Sequence, residues 1–140
     1  MLENVALKTL VPLLLRAALA AVFIFHGLDH VRVGGGFTWA NQMPDPPPEI
    51  LQAAIAWGQL AGGIALALGL FTRLAAIGII AVMIGAILKV HLPHGFDIRN
   101  QGYEYNLVLI VIAVCLVICG GGTLSMDRFI KAKSRGPAKY

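Results

Sequence analysis

Ile50 to Thr72 and Asn106 to Met126 each pass without a single Asp, Glu, Lys or Arg. Two further runs come close. Thr9 to Leu28 contains one charge, Arg16, and Leu74 to Leu88 contains none, its apolar character continuing past Lys89 to Leu92. A helix needs about 20 mostly apolar residues to cross a hydrocarbon core of roughly 30 Å. Continuous Leu, Ala and Ile do not match the alternating segments of roughly ten residues that build a membrane barrel. Outside these runs too little polar sequence remains to coat a soluble domain. Of the 140 residues 58% are hydrophobic and 13% charged, the latter about half the share of an ordinary soluble protein. The same figures exclude disorder, and two cysteines exclude a disulfide scaffold. The predicted fold is therefore all-α, an integral membrane four-helix bundle with helices near residues 7–31, 50–71, 73–92 and 103–121.

The first segment reads as a retained helix and not a cleaved signal peptide, because Arg16 interrupts the apolar run and no small-x-small site precedes a polar start. Gly34 to Pro48 is rich in breakers and reads as an extramembrane loop, Thr72–Arg73 as a tight turn, and Pro93 as the end of the third helix. Residues 1–127 form the transmembrane unit, and 128–140 a basic tail. Lys8, Arg16, Arg73, Arg128, Lys131, Lys133, Arg135 and Lys139 fall on the side of the two termini, against Arg32, Lys89 and Arg99 opposite. The positive-inside rule places both termini in the cytoplasm. Small residues at four-residue spacing (Ala54, Gly58 and Gly62; Ala81 and Gly85; Ala17 and Ala21) are the expected helix contacts. The basic residues are scattered apart from the tail, without a nucleic-acid recognition module, so the partner implied is the lipid bilayer.

Chemistry-bearing side chains are unequally distributed. All four histidines and five of the seven acids fall at the extracytoplasmic end. His26 and His30 are one helical turn apart, His91 closes the third helix, and Glu104 opens the fourth. His26, His30, His91 and Glu104 form a donor set suited to a transition metal. The same end suits a quinone head group, whose carbonyls need donors such as imidazole or phenol. The plainer account is that His and Tyr favour a membrane interface for their amphipathic shape, and that Glu104 favours a helix N-terminus. Arg16 reads as snorkelling toward the headgroups, the alternative being an internal partner such as Gln59, Thr72 or a backbone carbonyl. Lys89 is expected to snorkel or to pair with Asp97 or Glu104. Cys115 and Cys119, one turn apart in an apolar stretch, read as packing residues. No phosphate-binding loop, nucleophile elbow or His-Glu-x-x-His motif occurs.

Four stretches carry a family resemblance: Arg16 to Gly27 (RAALAAVFIFHG), Gly69 to Ala76 (GLFTRLAA), Val90 to Phe96 (VHLPHGF) and Gly102 to Asp127 (GYEYNLVLIVIAVCLVICGGGTLSMD). Together they resemble the DoxX family of small bacterial and archaeal membrane proteins across all four helices. The chain departs from the pattern at His30, where relatives often carry lysine, at His94, where they often carry asparagine, and at Gly121, a frequent proline. The resemblance implies a multi-pass protein of the cytoplasmic (inner) membrane linked with sulfur and redox metabolism. Some members act in thiosulfate:quinone oxidoreductase, and others are thought to anchor oxidoreductases that handle thiols or oxidative stress. By motif it carries over Arg16 and Arg73 as structural residues, and His26, His91, Glu104 and Tyr105 toward a site.

Two functions follow as expectations. In the first the chain is a membrane subunit of a redox system, with a quinone or metal held by His26 and His91, Glu104 taking a proton and Tyr105 donating a hydrogen bond. Apart from its two thiols the chain has no redox-active side chain, so electron transfer needs a bound cofactor and a partner oxidoreductase subunit. In the second the chain is a non-catalytic scaffold or homo-oligomer whose basic tail docks a partner or anionic lipid.

Overall fold

The computed structural model describes residues 2–134. Of the tail, residues 135–140 lie outside the described residues, so the tail reading applies there only as an expectation. Helix α1 runs from Leu2 through Arg32 in three joined pieces, Leu2–Val5, Ala6–Leu10 and Val11–Arg32. Helix α2 spans Glu49–Leu68. Helix α3 begins as Thr72–Ala86 and continues through Ile87–His91 and Leu92–His94. Helix α4 spans Glu104–Cys119 and helix α5 Met126–Ser134. Glu3–Arg32, Glu49–Leu68 and Thr72–His94 are long and apolar enough to cross a bilayer, while α4 is apolar but has only 16 residues. This is a multi-pass membrane protein.

Two prolines shape the helices. Pro12 has no N–H to offer the Lys8 carbonyl. The turn before it widens, Val11 N donating to Ala6 O, and the freed Lys8 carbonyl accepts Thr123 N at 2.9 Å. The Thr9 and Thr123 hydroxyls also meet, so the start of α1 is stitched to the segment after α4. Ahead of Pro93 the same widening recurs, Leu92 N donating to Ile87 O.

Helices α1 and α2 pack most closely, as do α3 and α4. Contacts of α2 with α3 and of α1 with α4 complete the ring. Leu19 and Phe23 of α1, Leu66 of α2, Ala76, Ile79 and Met83 of α3, and Leu109, Ala113 and Leu116 of α4 fill the core. The small-residue stripes do not make the contacts expected of them. Gly58, Gly62 and Gly85 have open space where a Cβ would stand, and Ala17, Ala21, Ala54 and Ala81 are exposed. Regular spacing marks one side of a helix without saying which way that side turns. The close approach is made instead at Gly27 and Gly63, where a Cβ would lie 2.5 Å from Leu60 N and 2.8 Å from Ile24 N.

Arg16 does not snorkel. It is 2% exposed and donates to four backbone carbonyls: Nε to Leu66 at 2.8 Å, Nη2 to Ala67 at 2.9 Å, and Nη1 to Gly121 at 2.8 Å and Leu124 at 2.7 Å. The last turn of a helix leaves its carbonyls without intrahelical donors, and a planar guanidinium can serve several at once. Its partners are backbone carbonyls, not the side chains of Gln59 or Thr72. The cysteines also differ from expectation, since Cys115 and Cys119 lie exposed on α4 and not in the core. Lys89 pairs with Asp45 of the long loop at 3.4 Å, not with Asp97 or Glu104.

Asp127 caps a helix that starts 55 residues earlier: its carboxylate accepts Phe71 N at 2.7 Å and Thr72 N at 2.9 Å. Phe71 adopts a left-handed backbone, φ 47°, a conformation a bulky residue takes only when its surroundings hold it there. Partial burial pushes the Asp127 carboxyl up, but the hydrogen bonds from Thr72 and Phe71 outweigh it and hold it below the usual carboxylate range. A depressed carboxylate contributes stability above its unfolded value and loses it as pH falls through the folded one. Asp127→Ala is therefore expected to destabilise the protein by about 1–2 kcal/mol at neutral pH, measured by thermal unfolding in detergent. The gap to the parent should close below the ordinary carboxylate range. A gap that persists there would assign the loss to packing.

Candidate functional site

At the histidine end the chain builds two distinct arrangements. The first lies where α1 meets α2. Gln52, 1% exposed, folds the long loop down onto the bundle: its Oε1 accepts Ala40 N at 2.8 Å, and its Nε2 donates to Asn41 Oδ1 at 2.8 Å and Pro47 O at 2.9 Å. Trp39 Nε1 donates to the Gln52 carbonyl at 2.9 Å, fixing the indole. The half-buried His30 ring stacks on that indole, centroids 3.9 Å apart and planes at 12°. His26, one turn earlier and exposed, stands 6.4 Å from His30 by ring centroid, with Phe25 edge-on at 5.5 Å.

Gln59 of α2 lies beside the His30 ring, without hydrogen-bond geometry between the two side chains. His30 Nδ1 and Gln59 Oε1 are both buried and without a partner among the described residues. Buried polar atoms are nearly always paired, so two adjacent orphans call for an explanation. Gln59 also lines a groove of about 480 Å³ between α2 and α3, walled by Ala54, Gly58, Gly62, Phe71, Leu74 and Gly78 among others. The missing side chains at Gly58, Gly62 and Gly78 are what leave this space open.

The second arrangement is the connection from α3 to α4. His91 Nδ1 donates to Gln101 O at 2.6 Å, His94 Nδ1 donates to Val90 O at 2.9 Å, and Glu104 Oε2 accepts Ile98 N at 3.2 Å. Backbone pairs from Tyr103 N to Gly95 O and from Glu104 N to Phe96 O close the loop, and Phe96 meets Tyr103 edge-on at 5.6 Å. The exposed Asp97–Arg99 pair at 2.6 Å holds the Asp97 carboxyl below, and the Arg99 guanidinium above, its ordinary range. Tyr105 is 40% exposed. Arg73, at the other end of the molecule, donates from Nη2 to Ile118 O at 3.2 Å.

Among the described residues no three His, Cys, Asp or Glu side chains gather as a metal site requires. The donor set His26, His30, His91 and Glu104 is not brought together for a metal. His91 and Glu104 spend their hydrogen bonds on the loop, while His30 lies beside Gln59 and His26 stands exposed one turn away. Sequence reasoning missed Trp39, Gln52 and Gln59 as members of this end. The signal was present, because Gln52 and Gln59 are seven residues apart, on one face of a helix whose one charge is Glu49 in its first turn.

The DoxX family model matches residues 11–92, which hold α1 from Val11 onward, α2 and nearly all of α3. An uncharacterized protein of Haemophilus influenzae is 28% identical over 127 residues, covering 85% of this chain and 82% of its own length. The Bacillus subtilis protein named "Putative oxidoreductase CatD" is 30% identical over 126 residues, covering 89% of this chain and 90% of its own. No solved structure matches. The family match over more than half of the sequence, and a relative aligned along most of both chains, place this protein in the DoxX family.

Proposed function

We propose that the chain is the membrane subunit of a quinone-linked redox system serving sulfur, thiol or oxidative-stress metabolism, working with a partner oxidoreductase subunit. The observation that carries this reading is the pair of unpartnered polar atoms, His30 Nδ1 and Gln59 Oε1, with Gln59 at the wall of an apolar groove. Binding sites for small apolar molecules have this composition, a largely hydrophobic cleft with a few placed polar groups. A quinone supplies two-electron, two-proton chemistry when bound. The residues of this chain hold and orient it. Trp39 keeps His30 in one plane, so its free nitrogen would be available to a head-group oxygen, and the Gln59 amide to the hydroxyl of the reduced form. His26 adds a second imidazole one turn away, and His91, Glu104 and Tyr105 shape the aqueous rim. Gly58, Gly62 and Gly78 would leave room for the isoprenoid tail along the groove. In this reading α4 is the fourth crossing, and the Lys and Arg bias puts both termini in the cytoplasm. The name of the Bacillus relative, "Putative oxidoreductase CatD", supports the redox association.

Trp39 gives a direct assay that needs no turnover. In a Trp57→Phe background, the remaining indole stacks on His30 and is expected to be quenched by a short-chain quinone added to the purified protein. Gln59→Leu should weaken that binding by about tenfold, the equivalent of one hydrogen bond to a buried group. Absence of quenching in the parent, or identical binding by Gln59→Leu and His30→Ala, would return the chain to the scaffold reading.

A further inference from the structure

The segment after α4 is not a free tail. Ser125 is 3% exposed, Asp127 N donates to Gly69 O at 3.0 Å, and the Asp127 carboxylate grips the start of α3. Helix α5 therefore leaves the bundle in a fixed attitude, with six residues between it and the last residue of α4, Cys119. Its chemistry is sharply divided. Met126, Phe129 and Ile130 share one face at i, i+3 and i+4 and are 42%, 69% and 53% exposed. Arg128 and Lys131 take the opposite face. Lys133 returns to the apolar side at the far end, where its long stem can carry the ammonium outward. None of these side chains is buried against the bundle.

An apolar face of this kind, held rigidly beside the ends of membrane helices, meets the bilayer before it meets anything else. Its exposed cations match anionic headgroups. We infer that α5 is an interfacial helix that lays Met126, Phe129 and Ile130 into the acyl boundary and binds anionic lipid through Arg128, Lys131 and Lys133. Amphipathic helices bind membranes by buried apolar area plus electrostatic attraction, and each basic residue near a charged surface strengthens association roughly fivefold. Asp127 does not compete, because its carboxylate is taken up by Phe71 N and Thr72 N. The inference does not depend on the quinone reading.

The test uses the whole chain reconstituted in vesicles, with Cys115 and Cys119 replaced by serine and one environment-sensitive fluorophore attached through Ile130→Cys or, separately, Arg128→Cys. In phosphatidylcholine mixed with phosphatidylglycerol, the probe at 130 should be blue-shifted and protected from aqueous iodide, while the probe at 128 stays accessible. In phosphatidylcholine alone the protection at 130 should fall. The difference between the two lipids should vanish in Lys131→Gln/Lys133→Gln and shrink at high salt. Equal accessibility of the two positions in the anionic vesicles overturns the proposal. Protection indifferent to lipid charge also overturns it, as does protection that grows with protein density in the membrane, which assigns the face to a second copy of the chain.

Discussion

Arg16→Ala is expected to destabilise the protein by about 3–5 kcal/mol, the range for dismantling a buried charged network. The guanidinium ties Leu66 and Ala67 at the end of α2 to Gly121 and Leu124 after α4. Without it the carbonyls of Ala67, Gly121 and Leu124 lose their side-chain donor, and Leu66 O keeps only Gly69 N at 3.1 Å, in a region too crowded for easy solvation. A Cβ at Gly69 would already lie 2.7 Å from Arg16 Cζ, and one at Gly121 would lie 2.6 Å from Thr72 Oγ1. Arg16→Lys separates charge from geometry. Lysine keeps the cation but is a point donor that cannot span carbonyls from two chain segments, so it should still lose about 2 kcal/mol. Thermal unfolding in detergent reads both. A lysine variant as stable as the parent would show that charge near the α2 terminus, not the fork, does the stabilising.

The different fate of Arg16 shows where the sequence stops being legible. The depth of a charge along its own helix is readable, and on that axis Arg16 lies about two turns from the expected helix start near residue 7, within reach of headgroups. What is not readable is that α1 begins near Leu2, about 20 Å before Arg16 at 1.5 Å per residue. The Gly69–Phe71 turn and the Gly120–Ser125 segment close over it. The apolar runs, by contrast, gave helices within a few residues of their observed bounds, because hydrophobic length is a property of each segment alone. Everything that depends on two segments meeting was harder. The Asp127 cap on Phe71 and Thr72, the Lys89–Asp45 pair and the outward turn of Cys115 and Cys119 have no signal in spacing. The histidine end was legible as a concentration of chemistry. Its division into His30 with Gln59, and His91 with Glu104, depends on hydrogen bonds that no spacing rule anticipates.

The glycines of α1 and α2 offer the sharpest test of how packing and site divide the same helices. Gly27 faces the backbone of Leu60, with Cβ positions 2.5 and 2.7 Å from its N and Cα, and Gly63 answers with 2.8 Å to Ile24 N. Backbone cannot rotate aside as a flexible side chain can, so Gly27→Leu must push α1 and α2 apart along their whole contact. Its expected loss is about 3 kcal/mol, the upper range for overpacking. Gly27→Ala should lose less, because adding a methyl raises helix propensity by up to about 1 kcal/mol while creating the clash. Gly58 and Gly62 have nothing within 4 Å, so Gly58→Ala and Gly62→Ala should be neutral or stabilising by the same propensity gain. Larger residues there change something else. Gly58→Leu with Gly62→Leu fills the groove beside Gln59 without touching the α1–α2 contact, so it should leave thermal stability intact and abolish quinone quenching of Trp39. If quenching survives in that variant, the tail does not lie between α2 and α3. If stability collapses as it does for Gly27→Leu, the stripe is a packing surface after all, and the open space beside it closes against another helix in the membrane.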